Sequence, residues 1–237
     1  MLILAFETTA KAGSVALVEN GKLLGEFYQN TGLTHSQTLM VMAQELLKSC
    51  GKGTADVTAV AVAEGPGSFT GVRIGVAAAK GFAWGPQLPC YGISTLEAMV
   101  KTLGVWTGYV CPCMDARRSQ VYNALFYVNR GVIQRIQPDR AIALAQLGEE
   151  LKTLQGPVFL VGDGSNLCYA ALKDTVSSLV LPPEHRMHQR ASGVALLAAE
   201  KVAENIPGDA NTLTPNYLRL SQAERERMEK LQGKNEK

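Results

Sequence analysis

A strand and hairpin pattern near the N-terminus recurs about 110 residues later, and this repeat constrains the fold more than any other sequence feature. In AFETTAKAGSVALVENGKL an apolar run ends in Glu7, and a hairpin turn is expected at Asn20-Gly21. In CMDARRSQVYNALFYVNRGVI the run ends in Asp115, and the turn is expected near Asn129–Gly131. Because a repeated supersecondary unit indicates internal duplication, the sequence predicts two related lobes.

The order of elements predicts an α/β fold. In the first half, THSQTLMVMAQELLKSCG is typical of a helix, with Thr34 and Gln37 as a capping box and Gly51 as the stop. VTAVAVA is typical of a strand buried on both faces, and PCYGI of a further strand that precedes a helix from about Ser94.

The second half repeats this alternation of strands and helices. Its predicted elements are a helix at about 140–154, the strand VFLVG, a short helix after Gly164 and a helix at 191–204. We therefore divide the chain into an N-terminal lobe of residues 1–105, which holds the partner-binding helices, a C-terminal lobe of residues 106–220 and a charged tail of residues 221–237.

Composition limits the class of protein. With 46% apolar and 19% charged residues, the chain is expected to be globular rather than disordered. A net charge of +2 gives no reason to expect a basic nucleic-acid surface, so a role on RNA would need a partner. The N-terminus lacks the features of a cleaved leader, and no apolar run approaches the roughly 20 residues that span a bilayer. We expect a cytoplasmic protein without membrane contact.

The five cysteines are odd in number and scattered, which argues against a disulfide framework. Cys111 and Cys113 share one face of a predicted strand and in principle could bind a metal ion. No second pair or nearby histidine completes such a site, so we expect buried thiols and no metal site.

Two features allow either a phosphate-facing or a purely structural interpretation. Glu7 and Asp115, each at the end of a strand, could hold a hydrated metal or water near a phosphate, or could accept hydrogen bonds from turn amides. Gly162 and Gly164 in GDGSN could face a nucleotide, or could form a strand-to-helix turn. Nucleotide binding is thus possible, although no catalytic cofactor is expected.

The stretch GPGSFTGVRIG begins like a phosphate-binding loop but satisfies neither standard motif. The sixth place of the dinucleotide fingerprint is Thr70 rather than glycine, and Gly71 is followed by Val72-Arg73 where a Walker loop needs lysine. The loop is explained by a turn in which Ser68 caps the helix that follows.

That helix is almost entirely small and apolar, and the helix before it is apolar over a wide arc. Gly71, Gly75 and Ala79 recur every four residues, which lets another backbone approach closely. Packing on the protein's own sheet is the alternative, but it needs only one face. We therefore predict a partner or dimer interface on these helices. Its predicted residues are His35, Leu39, Met42, Leu46, Phe69, Gly71, Val72, Arg73, Gly75, Val76 and Ala79.

The motifs ILAFETTAKAGSVAL, THSQTLM, GPGSFTGVRIG, YGISTLEAM, DARRSQVY and LTPNYLR together resemble the bacterial TsaB family, formerly YeaZ. The resemblance covers nearly the whole chain. It implies the two-lobed, duplicated actin and sugar-kinase (ASKHA) fold and a role in making threonylcarbamoyladenosine in tRNA. It also implies binding to the catalytic relative TsaD through the two helices, with the ATPase TsaE joining, and contact with tRNA only through the complex. The family usually has aspartate at the position of Glu7.

The resemblance also bears on whether this chain is the catalyst. The catalytic relative carries a His-x-x-x-His metal pair where this chain has Thr95 and Met99, neither of which is a good ligand. The histidines are His35 in the first helix and His185 and His188 in a loop without metal-site spacing. We expect no catalytic residues and a non-catalytic subunit, with a small-molecule kinase or phosphotransferase of the same fold as the alternative. A homodimer through the same helices is expected when TsaD is absent.

Overall fold

Two five-stranded sheets with the same strand order form the framework of the protein. The structure, a computed structural model, describes residues 1–104 and 107–219. The predicted lobe boundary between residues 105 and 106 and the predicted tail at 221–237 lie outside these described residues. The division into lobes at those positions therefore stays a prediction.

The first sheet has the order β3-β2-β1-β4-β5 and the second the order β8-β7-β6-β9-β10. The strands of the first sheet are β1 (Leu2–Glu7), β2 (Gly13–Glu19), β3 (Lys22–Gln29), β4 (Ala59–Gly65) and β5 (Cys90–Ser94). Those of the second are β6 (Thr107–Asp115), β7 (Gln120–Asn129), β8 (Val132–Ala143), β9 (Val158–Val161) and β10 (Leu179–Val180). The helices are α1 (His35–Ser49), α2 (Phe69–Trp84), α3 (Thr95–Leu103), α4 (Leu144–Lys152), α5 (Ser165–Leu172) and α6 (Ala191–Ala203). Short 3-10 helices lie at Thr54–Asp56 and Glu184–Arg186.

The predicted duplication is present in the pairing of the strands. β1 pairs antiparallel with β2 and parallel with β4, and β6 pairs in the same way with β7 and β9. Glu7 and Asp115 are the last residues of β1 and β6. The two carboxylates therefore occupy equivalent places in two related sheets, as the repeat predicts.

Local turn chemistry explains both hairpins. Asn20 and Gly21 have φ of 50° and 80°, and Arg130 and Gly131 have φ of 49° and 80°. Two successive left-handed residues match the right-handed twist of the strands they connect. The predicted turns are thus confirmed, with Asn129 as the last residue of β7.

The predicted ends of the helices are confirmed in part. Thr34 is the N-cap residue of α1, but its side chain makes no capping hydrogen bond, so the predicted capping box is wrong. Gly51, with φ of 65°, follows the C-cap as expected. α4 begins at Leu144 rather than near residue 140, because β8 continues to Ala143, which pairs with Gln120.

Helices cover both faces of each sheet, and two of them cover the sheet of the other half. α1 and α2 pack on one face of the first sheet, where Leu46 and Val76 join the same core cluster as Phe6. The opposite face is covered by α6 from the second half. α3 in turn packs on the second sheet, whose remaining face holds α4 and α5. α3 and α6 contact each other closely, and Gly193 approaches the carbonyl of Ala98.

Candidate functional site

A cleft of about 650 Å³ lies where the carboxyl ends of β1 and β6 meet. In open α/β sheets the crevice outside the carboxyl ends of the strands is the usual ligand site. The lining comes from both halves of the chain and from the segment after α6. The cleft is lined by residues 9–11, 66–70 and 114–117, by Tyr122 and Asp163, and by residues 216–219.

Glu7 does not line this cleft, and its contacts match the structural interpretation, in which the carboxylate accepts hydrogen bonds within its own turn. Its side chain is fully buried, and Oε1 accepts hydrogen bonds from the amide and the hydroxyl of Thr9, both at 2.6 Å. Because Thr9 follows two residues later, the turn draws the carboxylate back under the lining of the cleft. Burial raises the pKa of Glu7 from 4.5 to about 7, while the hydrogen bonds from Thr9 oppose the rise.

Asp115, the equivalent residue of β6, is exposed and does line the cleft. Its Oδ1 accepts a hydrogen bond from the amide of Arg117 at 2.7 Å. The carboxylate thus accepts a hydrogen bond within its own turn, as the structural interpretation predicts. Its position at the cleft also satisfies the phosphate-facing interpretation.

Gly162 and Gly164 are buried against β6 rather than directed to the cleft. A Cβ at Gly162 would overlap the carbonyl oxygen of Cys113, and one at Gly164 would lie 2.9 Å from the amide nitrogen of Asp115. These glycines therefore permit close backbone packing, which matches the interpretation of the segment as a strand-to-helix turn. Asp163, between them, lines the cleft and accepts a hydrogen bond from Gln189 at 3.3 Å.

The GPGS loop is attached to the turn that follows β1. The Ser68 amide donates to the carbonyl of Thr9 at 2.6 Å, and its hydroxyl accepts from the amide of Gly71 at 3.3 Å. The predicted helix cap is therefore confirmed. Because the GPGS loop contacts the turn after β1, these two segments together form one wall of the cleft.

The glycine stripe of α2 faces the protein's own first lobe. The carbonyl of Gly71 accepts a hydrogen bond from the Thr8 hydroxyl at 2.7 Å, and a Cβ at Gly75 would overlap the same hydroxyl. Val72, Val76 and Ala79 lie in the core beneath it. The close approach predicted from the stripe thus occurs within the chain, with the turn after β1.

This corrects the predicted interface. Seven of its eleven residues are buried in the core of the chain and cannot form an outer surface: Leu39, Leu46, Gly71, Val72, Gly75, Val76 and Ala79. His35, Met42 and Phe69 are half-buried, and Arg73 is exposed. His35 is also tied to the turn after β1, since its Nε2 lies 2.8 Å from the carbonyl oxygen of Ala10. Binding of a partner by these helices stays a prediction.

α2 presents a different stripe to solvent, which we call the outer face. It consists of Thr70, Arg73, Ala77, Gly81 and Trp84, all exposed. Trp84 is 70% exposed, and Val41 on the neighbouring α1 is 60% exposed. Sequence reasoning missed all of the outer face except Arg73, although Trp84 is the largest side chain of the helix and was a signal for it.

The thiols behave as core residues. Cys111, Cys113 and Cys168 are fully buried, and the sulfurs of Cys111 and Cys113 are 3.6 Å apart. Hydrogen bonding to Cys111 raises the pKa of Cys113 well above its ordinary value. The prediction that Cys111 and Cys113 are buried thiols is confirmed. Over residues 1–104 and 107–219, no group of three or more histidine, cysteine, aspartate or glutamate side chains is arranged to hold a metal ion.

The side chains of Thr95 and Met99 are also buried. Thr95 is fully buried, and its hydroxyl has no hydrogen-bond partner among the described residues. Met99 is buried beside Gly162. His188 lies in a loop, with Nε2 at 2.8 Å from Glu184. Within the part of the chain that the structure describes, no helix is long and apolar enough to cross a membrane.

Comparison with protein families and curated relatives gives consistent matches. The family model described as TsaD, tRNA N6-adenosine threonylcarbamoyltransferase, matches residues 29–227. The tRNA threonylcarbamoyladenosine biosynthesis protein TsaB of Bacillus subtilis is 34% identical over 225 residues, which cover 94% of this chain and 96% of the relative. TsaB of Escherichia coli is 33% identical over 239 residues, which cover 99% of this chain and 100% of the relative.

Among solved structures, YeaZ from Pseudomonas aeruginosa is similar, with a TM-score of 0.72 at 24% identity, covering 92% of this chain and 99% of that chain. This likeness concerns the fold. Two duplicated sheets with covering helices form the two-lobed α/β architecture of the actin and sugar-kinase type, as the sequence predicts.

Proposed function

Because this chain belongs to the TsaB family of tRNA threonylcarbamoyladenosine biosynthesis proteins, we propose that it is a non-catalytic subunit that binds the catalytic relative TsaD. In this proposal the ATPase TsaE joins the pair. The complex transfers a threonylcarbamoyl group to the adenosine next to the tRNA anticodon. This chain supplies binding surface and support for TsaD, and tRNA meets it only within the complex.

The outer face of α2 carries this proposal. Thr70 and Arg73 lie at its start and Trp84 at its end, and the small residues Ala77 and Gly81 lie between them. A helix of a partner can approach such a surface closely, because no large side chain stands in the middle of it. Tryptophan and arginine are also the residue types that most often dominate binding energy at interfaces. Val41 of the neighbouring α1 is a further exposed apolar side chain.

The residues at catalytic positions support a non-catalytic role. Thr95 and Met99 stand where the relative carries its histidine pair, and a hydroxyl or a thioether is a poor ligand for a hard or borderline metal. Glu7 is directed into the turn by Thr9 rather than into the cleft. We propose no catalytic cofactor for this chain.

Light scattering coupled to size-exclusion chromatography tests the proposal with this chain and TsaD from the same source. We expect a one-to-one complex for the wild type and its loss in Ala77→Glu, which places a charge at the centre of the outer face. Ala170→Glu is the matched control, because Ala170 is an exposed alanine of α5 in the second half. Failure of the wild type to bind TsaD, or equal binding by both variants, would contradict the proposal.

A small-molecule kinase or phosphotransferase is the second candidate, favoured by the position of Asp115 on the cleft. The cleft also holds cationic Lys11, Arg117 and Arg219, which suit a phosphate-bearing ligand. Calorimetric titration with ATP tests nucleotide binding, and assays of phosphate release test turnover. Turnover that disappears in Asp115→Asn would support the kinase, and binding without turnover would leave the subunit proposal in place.

A further inference from the structure

The segment Leu213–Arg219, which we call the strap, runs from the first lobe to the second along the cleft. At its start Leu213 is buried in the core beneath α2, and Lys80 donates to its carbonyl at 3.0 Å. The Asn216 amide then donates to the carbonyl of Glu64, near the end of β4, at 2.7 Å. The backbone of the strap is therefore attached to the first lobe at two points.

Tyr217 attaches the strap to the first turn of α2. Its ring stacks on Phe69 with 4.7 Å between centroids, and its hydroxyl accepts a hydrogen bond from Nε of Arg73 at 2.7 Å. The Arg73 guanidinium also lies 3.9 Å from the centroid of the Phe69 ring. Tyr217 thus contacts both the half-buried Phe69 and the exposed Arg73 of α2.

Arg219 attaches the strap to the second lobe. Its Nη1 donates to the carbonyl of Ala116 at 2.6 Å, directly after the end of β6. The loop that follows is strained: Arg117, Arg118 and Ser119 have φ of 61°, 55° and 56°. Three successive non-glycine residues in the left-handed region persist only where neighbouring contacts hold them. The hydrogen bond from Arg219 is such a contact.

We propose that the strap couples the outer face of α2 to the loop of residues 115–120, so that a partner protein bound at Arg73 rigidifies that loop across the cleft. This coupling rests on the proposed binding of TsaD to the outer face. It makes Tyr217 and Arg219 positioning residues, because each acts through the strap rather than on a reacting group.

The direction of the effect follows from the donors of Arg73. A guanidinium has five N–H donors in a planar fork, and the Tyr217 hydroxyl takes only the one on Nε. No carboxylate among the described residues pairs with Arg73 within salt-bridge distance. An acidic side chain of the partner can therefore bind the remaining donors while Tyr217 stays in place. The partner then holds Arg73, and Arg73 holds the strap.

Hydrogen exchange measured by mass spectrometry tests this coupling in the chain alone. The reporters are the amides of Ala116 and Gln120, which bond to the carbonyls of Gln120 and Arg117. We expect Tyr217→Ala to speed the exchange of both amides about fivefold, which is the effect of losing about one hydrogen bond. Such an effect has to cross the cleft, because the side chain of Tyr217 contacts Phe69 and Arg73 of the first lobe. Tyr217→Phe, which keeps the stack and loses the hydroxyl, should give a smaller increase. Unchanged exchange at residues 115–120 in Tyr217→Ala would overturn the proposal.

A second arm adds TsaD. In the wild type we expect TsaD to slow exchange both in α2 and at residues 115–120. In Arg219→Ala, TsaD should still bind and still protect α2, but protection of residues 115–120 should be lost. Equal protection of this loop in the wild type and in Arg219→Ala would overturn the coupling.

Two controls separate coupling from other failures. Exchange in α5 should be the same in all variants, which shows that none of them loosens the whole second lobe. Arg130→Ala, at the hairpin between β7 and β8, should leave the reporters unchanged. If TsaD protects no part of the wild type, the proposed function fails, and the arm without TsaD still decides whether the strap couples the two lobes.

Discussion

The hydroxyl of Thr8 donates a hydrogen bond to the carbonyl oxygen of Gly71 across 2.7 Å. This bond joins the end of β1 to the first turn of α2 and explains why the helix is made of small residues on that side. A Cβ at Gly71 would overlap the backbone carbonyl of Thr8, and one at Gly75 would overlap its hydroxyl. The glycine stripe is therefore required by the first lobe itself.

The same change at two glycines of α2 should have opposite effects on stability. Gly71→Ala should lower the free energy of unfolding by about 2 kcal/mol, because the new methyl group meets backbone that cannot move away. Gly81→Ala should raise it by about 1 kcal/mol, because a Cβ there meets nothing within 4 Å and alanine is the better helix former. Urea unfolding of both variants measures this, and equal effects would contradict an inward-facing stripe.

Stability should fall as pH rises through the window in which buried Glu7 ionises. The pKa of Glu7 is raised from 4.5 to about 7 by burial, so the folded state binds the proton more tightly than the unfolded state. The stabilisation that protonated Glu7 contributes to the folded state is complete below about pH 4.5 and is lost by about pH 7. Between pH 5 and pH 8 the wild type should lose about 2–3 kcal/mol relative to Glu7→Gln, which cannot ionise. Urea unfolding at both pH values measures the difference.

Thr9→Val provides a second check on the origin of this pH dependence. The variant keeps the amide that donates to Glu7 and removes the hydroxyl donor at 2.6 Å. Because that hydrogen bond favours the charged carboxylate, its loss should raise the pKa of Glu7 further and extend the loss of stability to higher pH. If the free energy of unfolding changes with pH in the same way in the wild type and in Glu7→Gln, Glu7 is not the group responsible for the pH dependence.

Asn123→Ala should destabilise the second sheet. The Asn123 side chain is fully buried, and its Nδ2 lies 3.2 Å from the carbonyl oxygen of Pro112 and 2.8 Å from that of Ala124. Its Oδ1 accepts from Arg140, which also pairs with Glu150. Truncation leaves these groups without their partner, so we expect a loss of about 2–3 kcal/mol in urea unfolding. Asn166→Ala, at an exposed asparagine, should change stability by less than about 0.5 kcal/mol.

Self-association should depend on the outer face of α2. In the absence of TsaD we expect light scattering to show a dimer of the wild type, because the same apolar surface is then free to pair with a second copy. Ala77→Glu should be monomeric with unchanged unfolding, and Ala170→Glu should remain dimeric. A dimer that persists in Ala77→Glu would assign self-association to another surface.

Much of the local structure could be predicted from the sequence because it depends on short-range chemistry. The turn at Asn20-Gly21 follows from two residue types that tolerate left-handed backbone, and the turn at Arg130-Gly131 from its glycine. The Ser68 cap follows from a hydroxyl at a helix start. The repeat around Glu7 and Asp115 indicated two related sheets, and both are present. The family resemblance read from the motifs is confirmed by relatives that match over nearly the full length.

The orientation of α2 was decided only by the tertiary structure. Arg73 and Lys80 fall on one side of α2, but nearly every other residue of the helix is small or apolar, so the sequence does not tell which of the remaining stripes faces the core. Thr8, delivered by β1, selects the side of Gly71 and Gly75 and leaves Ala77 and Trp84 outside.

The same physical reason applies at the cleft. Spacing along the chain places Glu7 and Asp115 at equivalent strand ends, but burial beneath Thr9 withdraws Glu7 while Asp115 stays exposed. The segment LTPNYLR of the strap is among the family motifs, but its contacts could not be predicted, because Tyr217 and Phe69 lie far apart along the chain and meet only through the fold. The sequence by itself determined the elements, their duplication and the family. Which side chains reach the cleft, the core or the outer surface depended on contacts between distant residues, and only the tertiary structure decided it.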